Sequence, residues 1–247
     1  MTIRNDDELQ GMQAEGRLVA STIAHMRPHV QPGTSTGALD DLAERFARSH
    51  GARSAPQLAY NFPGFTCISV NEEIVHGIPG ERVIRAGDVV KLDVTLEFDG
   101  FMADSAVTVL VPPATAVAQR LNRAARLAWQ RGFAAVRSGR RMSDVGGAVE
   151  RTARAEGVAV IRGLTGHGIG RRIHEPPEVP NWADPDVRVT LHEGLVIALE
   201  PMLTMRDDGV DEGDDGWTLS TASGGIAVHH EHTVMVRRGE ALVLTAA

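Results

Sequence analysis

Hydrophobic residues recur at helical spacing along the first fifty residues. The spacing predicts one helix from about Asp6 to Met26, ended by Pro28. A second helix is predicted within TSTGALDDLAERFARSHG, residues 34–51, which opens with capping residues and closes on glycine. Because SAPQLAYNFPGF is punctuated by proline and glycine, it predicts a loop after these helices.

Strand patterns come next. TCISVN predicts a short strand and NEEIVHGIPG a loop, and GDVVKLDVTLEFDGFMADSA, residues 87–106, then predicts a hairpin. Its centre is Asp99-Gly100, a pair that favours a two-residue turn and thereby fixes the register. The opposed pairs predicted by this register are Phe98 with Phe101, Thr95 with Asp104, and Asp93 with Ala106.

The same order of elements recurs in the second half. Helices are predicted from Ala114 to Arg137 and from Ser143 to Gly157, followed by the glycine- and proline-rich loop GLTGHGIGRRIHEPPEVPNW. Strands are then predicted in EGLVIALEPML, WTLST and GIAVHHEHTVMVRRG. We interpret residues 1–247 as one domain made of a duplicated unit, with halves of about 1–110 and 111–247 that cover a shared sheet.

Composition excludes several classes of protein. A net charge of -7 disfavours sequence-independent nucleic-acid binding, which depends on clustered lysine and arginine. No apolar run reaches the roughly 18 residues that span a bilayer, and the first ten residues lack the apolar core of a signal peptide. The single cysteine, Cys67, excludes an internal disulfide and any multi-cysteine zinc site. We therefore expect a cytoplasmic enzyme or binding protein whose metal ligands, if any, are oxygen and nitrogen.

Two aspartates interrupt the hairpin pattern. In the predicted register, Asp93 and Asp104 are diagonal neighbours with Cα atoms about 7–8 Å apart on one face. The other face is apolar: Val90, Leu92, Val94, Leu96 and Phe98. Two carboxylates held this close repel unless a proton or a cation lies between them, and paired divalent ions about 3.5–4 Å apart suit the spacing. Two alternatives are a dyad that shares one proton and two solvated side chains on an open face.

The second half offers three more donors. Glu200 and Glu231 are carboxylates within predicted strands, and His167 lies between two glycines that let the backbone approach a neighbour closely. The five candidate ligands are Asp93, Asp104, His167, Glu200 and Glu231. This oxygen-rich set with one nitrogen suits Mn, Fe(II), Co or Zn.

The motifs VNEEIVHGIP, KLDVT, Asp104-Ser105, GHGIGRRIHEPPEVPN, ALEPM and EHT occur in this order between about Gly11 and Val236. Together they resemble the bacterial type I methionine aminopeptidases. The resemblance implies an α/β (α+β) pita-bread fold, in which pseudo-two-fold halves surround a curved, mainly antiparallel sheet. It also implies two divalent ions (Co, Mn, Fe(II) or Zn) on the five ligands, and a substrate that begins with methionine followed by a small residue.

The resemblance further implies roles for individual residues. A bridging water activated by the metals attacks the first peptide carbonyl, and Glu200 accepts its proton. His174 stabilises the charge that develops on the carbonyl oxygen, and His76 hydrogen-bonds the substrate near the scissile nitrogen. The side chains implied to bind substrate are Tyr60, Phe62, Cys67, His76, Ile173, His174 and Trp217.

The chain departs from the family pattern at three places. Ile173 stands where a larger aromatic side chain is usual, and one residue is missing between Tyr60 and Phe62. For Cys67, a buried core thiol is an equal alternative to a role in the pocket. His229 and His230 replace an amide residue and an aromatic one before Glu231. They are predicted to support the ligands, to alter metal preference, or to titrate near neutral pH.

Two other functions stay open. One is an Xaa-Pro peptidase or a creatinase-like relative, and the other is a metal-free member of the fold that only binds peptides. The acidic segment RDDGVDEGDDG, residues 206–216, lacks the ligand spacing of a calcium loop and predicts a solvated connection. We expect a monomer whose partner is a peptide or nascent-chain N-terminus, with transient ribosome contact through its folded surface.

Overall fold

Helices cover the outside of the molecule in the part of the chain that the computed structural model describes, residues 1–206 and 208–246. They are α1 Asp6–Met26, α2 Thr36–Ser49, α3 Ala55–Tyr60, α4 Ala116–Ala135 and α5 Met142–Ala155. The first, second, fourth and fifth of these confirm the predicted helices. Side chains of Asn5, Ser35 and Thr115 accept hydrogen bonds from the first turns of α1, α2 and α4, which fixes where these helices begin.

Fifteen strands are found within the same described ranges. They are β1 Arg53–Ser54, β2 Cys67–Val70, β3 Glu73–Val75, β4 Val89–Phe98, β5 Phe101–Leu110, β6 Ala159–Val160, β7 Gly166–Gly168, β8 Glu175–Val179, β9 Val196–Leu199, β10 Met202–Thr204, β11 Val210–Glu212, β12 Leu219–Thr221, β13 Val228–His229, β14 His232–Met235 and β15 Leu242–Val243. All their pairings are antiparallel.

The strands form four hydrogen-bonded groups. β1, β2 and β5 surround β4 in the first half, and β15, β14, β9, β7 and β8 follow one another in the second. Two smaller groups have the orders β13–β10–β6 and β11–β12–β3. The predicted single shared sheet is therefore divided, because several strands are only two or three residues long.

The β4–β5 hairpin has the predicted register. Phe98 pairs with Phe101, and Thr95 pairs with Asp104. Both turn residues, Asp99 and Gly100, have positive φ, at 53° and 77°, as the tight hairpin turn requires. The apolar face of β4 packs on α1 and α2 in one core, and α4 and α5 cover β9 in a second core. Residues of the second half, such as Val196 and Met235, complete the first core.

Two predicted strands are interrupted. EGLVIALEPML divides into β9 and β10, and GIAVHHEHTVMVRRG divides into β13 and β14. The prediction that Glu200 and Glu231 lie within strands was therefore wrong. Pro201 has no N–H to continue the ladder of β9, and the Glu231 N–H donates to the carbonyl of Ala106 instead, at 2.9 Å.

Several predicted loops contain regular structure. Helix α3 lies in the proline-punctuated stretch, where Pro56 occupies the first turn and leaves no N–H unpaired. Strand β3 lies in the predicted loop NEEIVHGIPG, β7 and β8 lie in the glycine-rich loop, and β11 lies in the acidic segment, whose residue 207 is outside the described part. β3 pairs with β12 and β7 pairs with β9, which are distant in sequence, whereas β8 and β11 pair with the nearby strands β7 and β12. Each of these four strands is only three to five residues long, too short for a clear alternating pattern.

Strand β5 joins the two halves. Its Asp104 N–H donates to the hydroxyl of Thr233 at 2.9 Å, and the Ser105 hydroxyl donates to the carbonyl of Glu231 at 2.7 Å. These contacts bring residues 126 and 129 positions apart side by side. Within the described residues, no helix is long and apolar enough to cross a membrane.

Candidate metal centre

Asp93 and Asp104 meet on the polar face of the hairpin. Asp104 is only 7% exposed, and its carboxyl lies close enough to that of Asp93 for each to shift the pKa of the other. Burial raises the pKa of Asp93 well above its usual value, and the charge of Asp104 raises it further. Burial also raises the pKa of Asp104, although a hydrogen bond from Thr95 opposes that shift. The site therefore favours a proton or a cation between the two carboxyls.

His167 in β7 directs one ring nitrogen towards these acids. Its Nδ1 donates to the carbonyl of Gly168 at 2.9 Å, which leaves Nε2 with its lone pair. Nε2 lies 3.6 Å from Glu200 Oε1 and 4.0 Å from Asp104 Oδ2. Burial lowers the pKa of His167 to about 3, so the imidazole is neutral and available as a ligand.

The glycines beside His167 are needed for close approach. A Cβ at Gly166 would lie 2.3 Å from the carbonyl oxygen of Ala198 in β9. A Cβ at Gly168 would lie 2.2 Å from the carbonyl oxygen of Pro176 in β8. Both glycines therefore allow the three strands to pack closely enough for His167 to reach the acids, as the sequence predicted.

Glu200 and Glu231 occupy the two strand interruptions. They are 7% and 1% exposed, and burial raises the pKa of both well above the usual value. The charges of Asp104 and Asp93 raise them further. The backbone of Glu200 is fixed by Asn181, whose amide donates to the Glu200 carbonyl at 3.1 Å. Because Glu200 and Glu231 lie between strands and not within them, their backbones can turn both carboxyls towards one point.

The donors form two groups that share Glu231. One group is Asp104, His167 and Glu231, and the other is Glu200, His229 and Glu231; within each, the donor atoms lie within 4.8 Å of one another. Asp93 adjoins the first group through Asp104. The structure thus brings all five predicted ligands together.

Several donor atoms in these groups are buried without a hydrogen-bond partner among the described residues. They are Asp104 Oδ1, Glu231 Oε1 and both ring nitrogens of His229. Buried polar atoms are nearly always partnered. These unpartnered atoms come from two acids and one imidazole, and they fit a divalent cation because a cation can satisfy several acceptors at once.

His229 belongs to the second group of donors, although it was not among the five predicted ligands. Burial lowers the pKa of His229 and His230 to about 3, so the prediction that they titrate near neutral pH was wrong. The signal in the sequence was its position two residues before Glu231. Because His230 intervenes, alternation of side chains places His229 and Glu231 on the same side of the chain.

Two further histidines adjoin the donors. The rings of His174 and His167 are 4.2 Å apart between centroids, and the Tyr60 hydroxyl lies 2.6 Å from His174 Nδ1. Burial lowers the pKa of both His76 and His174. His76 has a φ of 58°, a left-handed conformation that is uncommon outside glycine and is found at functional sites.

A cavity of about 240 Å³ opens beside Asp93 and Asp104. Its other lining residues are Pro56, Tyr60, Phe62, Cys67, Thr95, His76, Ile173, His174 and Trp217. All seven predicted substrate-binding residues therefore line one cavity. Sequence reasoning missed Thr95, which the hairpin register places on the same face as Asp93, and Pro56, which lies in the unpredicted helix α3.

Part of the wall of this cavity is aromatic and apolar. Phe62 and Trp217 pack edge to face, with ring centroids 5.2 Å apart. Cys67 pairs with Asp93 across β2 and β4 and is 6% exposed, and burial raises the pKa of its thiol well above the usual value. Cys67 is thus both a buried thiol and part of the cavity wall.

Comparisons with known proteins agree with this architecture. The model of metallopeptidase family M24 matches residues 10–238. Methionine aminopeptidase 2 of Bacillus subtilis strain 168 is 39% identical over 247 residues, which cover 99% of each chain. The crystal structure of a methionine aminopeptidase from Thermotoga maritima superposes with a TM-score of 0.96 at 32% identity and covers 100% of both chains.

A more distant structure shows the breadth of the fold. A prolidase from Pyrococcus furiosus has a TM-score of 0.81 at 18% identity, and the match covers 100% of this chain but 66% of that one. At this identity the likeness shows the fold alone. The closer matches confirm the predicted pita-bread fold. By the extent of the family match and the identity to its full-length relatives, this chain belongs to metallopeptidase family M24.

Proposed function

We propose that this chain is a metal-dependent aminopeptidase that removes N-terminal methionine from peptides and nascent proteins whose second residue is small. The observation that carries this proposal is the cavity of about 240 Å³ that opens directly onto Asp93 and Asp104. An apolar cavity beside a group of metal donors can hold a side chain while the adjacent peptide bond meets the metals. Full-length relatives named methionine aminopeptidase support the same substrate.

Membership of family M24 implies use of a divalent metal. We assign two ions to Asp93, Asp104, His167, Glu200 and Glu231, with Co, Mn, Fe(II) and Zn as the candidates. Divalent ions held by these donors supply Lewis acidity, which lowers the pKa of water and polarises a peptide carbonyl. The raised carboxyl pKa values of the metal-free site agree with this assignment, since burial and mutual repulsion raise them and cations favour the charged carboxylates against both.

Glu200 is the residue we assign as proton acceptor. Its carboxyl is buried beside His167 and has a raised pKa, so it can accept a proton from water and return it to the departing amine. The protein holds this carboxyl between two strands, where Asn181 fixes its backbone. Because this carboxyl lies among the metal donors, a proton has only a short distance to travel from water to Glu200 and on to the departing amine.

His174 and His76 are assigned to the substrate. The Tyr60 hydroxyl can donate to His174 Nδ1, which leaves the proton on Nε2, available to a carbonyl oxygen that gains negative charge. His76 lines the same cavity and is assigned to the backbone near the scissile nitrogen. Because burial lowers the pKa of both rings, both act as neutral imidazoles.

The cavity suits an unbranched thioether side chain. Phe62 and Trp217 offer aromatic edges and faces, and Cys67 offers a soft sulfur. Such groups make favourable contacts with the sulfur of methionine. Where the family pattern has a larger aromatic side chain, Ile173 gives this part of the cavity wall a smaller aliphatic one.

One experiment separates this function from its alternatives. The metal-free protein is titrated with Mn(II), Co(II) or Fe(II) and assayed on Met-Ala and Xaa-Pro peptides. Metal-dependent cleavage of Met-Ala alone supports the proposal. Cleavage of the Xaa-Pro peptides would select the Xaa-Pro peptidase, and inertness towards both with no bound metal would select a peptide-binding protein.

We further propose that the chain acts as a cytoplasmic monomer and a single domain. It would contact the ribosome transiently and through its folded surface, without reading nucleic-acid sequence. The net charge of -7 argues that any such contact is weak at the RNA phosphates, because tight binding to phosphates requires clustered cations. Sedimentation of the purified protein tests the monomer, and co-sedimentation with ribosomes over a range of salt concentrations tests the contact.

A further inference from the structure

His229 is a fully buried histidine with an unsatisfied ring. It ends β13, where its N–H donates to the Thr108 hydroxyl at 2.9 Å and its carbonyl accepts from the same hydroxyl at 2.7 Å. The residue is 1% exposed, and neither ring nitrogen has a hydrogen-bond partner among the described residues. Since buried ring nitrogens are rarely left unpartnered, the ring requires a ligand.

The distances around this ring suit metal coordination better than hydrogen bonding. Nε2 lies 3.5 Å from Glu200 Oε2 and 3.7 Å from Glu231 Oε2. An N–H···O hydrogen bond normally spans about 2.7–3.2 Å. By contrast, two donors that each lie about 2.1 Å from one ion at a tetrahedral angle are about 3.4 Å apart.

Glu200 faces two imidazoles in the same way. Its Oε1 lies 3.6 Å from Nε2 of His167, and its Oε2 lies 3.5 Å from Nε2 of His229. His167 is a predicted ligand, so His229 reproduces the geometry of a ligand at the other oxygen of the same carboxylate. Glu231 takes part in both groups of donors.

We propose that His229 is a metal ligand, so that the centre holds a second nitrogen donor in addition to His167. This inference rests on the proposed metal centre and deepens it. Imidazole favours Zn and Co over Mn, whereas carboxylates suit Mn, so the second imidazole shifts the preference of the centre towards Zn and Co. An amide at this position, as in the family pattern, would not provide that nitrogen.

His230 offers a matched control because its ring points away from the metal donors. It packs edge to face on Trp129, with centroids 5.7 Å apart, and lines a separate cavity with Arg126 and Asn122. Replacement of His230 removes an imidazole of the same kind, one residue away, without touching the donors. A general effect of losing an imidazole in this segment would therefore affect both variants.

The test measures binding of a metal alone. Metal-free wild type, His229→Gln and His230→Gln are titrated with Zn(II) and with Mn(II) by calorimetry, and circular dichroism checks their folding. We expect His229→Gln to weaken Zn(II) binding at least tenfold and to change Mn(II) binding less than threefold. X-ray absorption of the Zn(II) form should lose one imidazole. An unchanged Zn(II) affinity and imidazole count would overturn the proposal.

A second measurement decides the matter if His229→Gln does not fold. X-ray absorption of the wild-type Zn(II) form should count two imidazoles at the centre, and a count of one overturns the proposal. Because these measurements contain no peptide, they test the assignment of His229 independently of the proposed aminopeptidase activity. Wild type that binds metal but leaves Met-Ala intact would contradict the aminopeptidase and leave the assignment of His229 standing.

Discussion

The Tyr60 hydroxyl lies 2.6 Å from Nδ1 of His174, and this contact joins helix α3 to the segment that follows β7. The two residues are 114 positions apart in the chain. With the phenol as donor, His174 keeps its proton on Nε2, the nitrogen left for substrate. Tyr60 therefore acts as a positioning residue as well as part of the cavity wall.

Loss of the Tyr60 hydroxyl should lower turnover without weakening binding of the methionine side chain. In Tyr60→Phe the ring remains while the hydrogen bond to His174 is lost, so we expect kcat to fall about tenfold with little change in KM. His174→Ala should cost about 10²- to 10³-fold, because it removes the donor itself. Steady-state kinetics on Met-Ala peptides measure both effects.

The double variant tests whether Tyr60 acts through His174. If it does, Tyr60→Phe has no further effect in the His174→Ala background, because the partner is already absent. Independent, additive losses in kcat would contradict the positioning role.

Removal of metal should make stability depend on pH. The pKa values of Asp93, Asp104, Glu200 and Glu231 are raised above their unfolded values, so the metal-free native state binds more protons than the unfolded state. The stability that these four carboxyls contribute is fully present below about pH 4 and is lost as pH rises through their folded pKa values. The buried histidines, whose pKa values are lowered, oppose this trend below about pH 6.5, so we expect the Tm of the metal-free protein to fall from pH 7 to pH 9.

Metal should reverse this trend. Saturating Mn(II) binds the carboxylates of the native state, and a single ion at 100 times its Kd adds about 2.7 kcal/mol. Thermal unfolding with and without chelator measures both curves, and Glu231→Gln should flatten the metal-free one. A metal-free Tm that rises from pH 7 to pH 9 would contradict the repulsion among these acids.

Glu15 in α1 is a buried acid outside the centre. It is 0% exposed, and burial followed by the charge of Glu97 raises its pKa well above the usual value. The stability that protonated Glu15 contributes to the protein is present at low pH and is lost as pH rises through its raised pKa. Glu15→Gln keeps the shape and removes the charge, so it should add about 1–3 kcal/mol at pH 8 and almost nothing at pH 4.5.

Urea unfolding of the metal-loaded protein at both pH values measures this difference. Glu81→Gln, at an exposed position between β3 and β4, serves as the control and should change stability by less than about 0.5 kcal/mol. A Glu15→Gln protein less stable than wild type at pH 8 would show that the carboxylate is stabilised by its surroundings.

Ile173 should set how strictly the cavity selects methionine. Ile173→Phe reduces the space in a cavity of about 240 Å³, and branched or larger side chains should lose more than methionine does. We expect the ratio of kcat/KM for Met-Ala over Leu-Ala to rise about tenfold, the scale of one misfitted methylene. Leu58→Phe, on the exposed side of α3, is the matched control, and an equal rise there would refute the assignment.

Local signals in the sequence were sufficient for the hairpin. Asp99-Gly100 specifies a tight turn, the turn fixes the register of β4 and β5, and the register places Asp93 and Asp104 on one face. The long amphipathic helices are equally local, since helical spacing and capping residues lie within each segment. The motifs further identified the family and with it the five donors that the structure brings together.

Tertiary structure decided where the strands are interrupted and which residues occupy the interruptions. Glu200 and Glu231 leave their strands because β9 and β14 belong to one sheet while β10 and β13 belong to another, and that division depends on partners far away in the chain. The position of His229 against Glu200 likewise follows from the contact between β5 and the second half, not from its neighbours. Sequence by itself determined which donors exist, because turn and helix preferences act over a few residues. Only packing between the halves decided how those donors meet, because pairing of distant strands is a property of the whole fold.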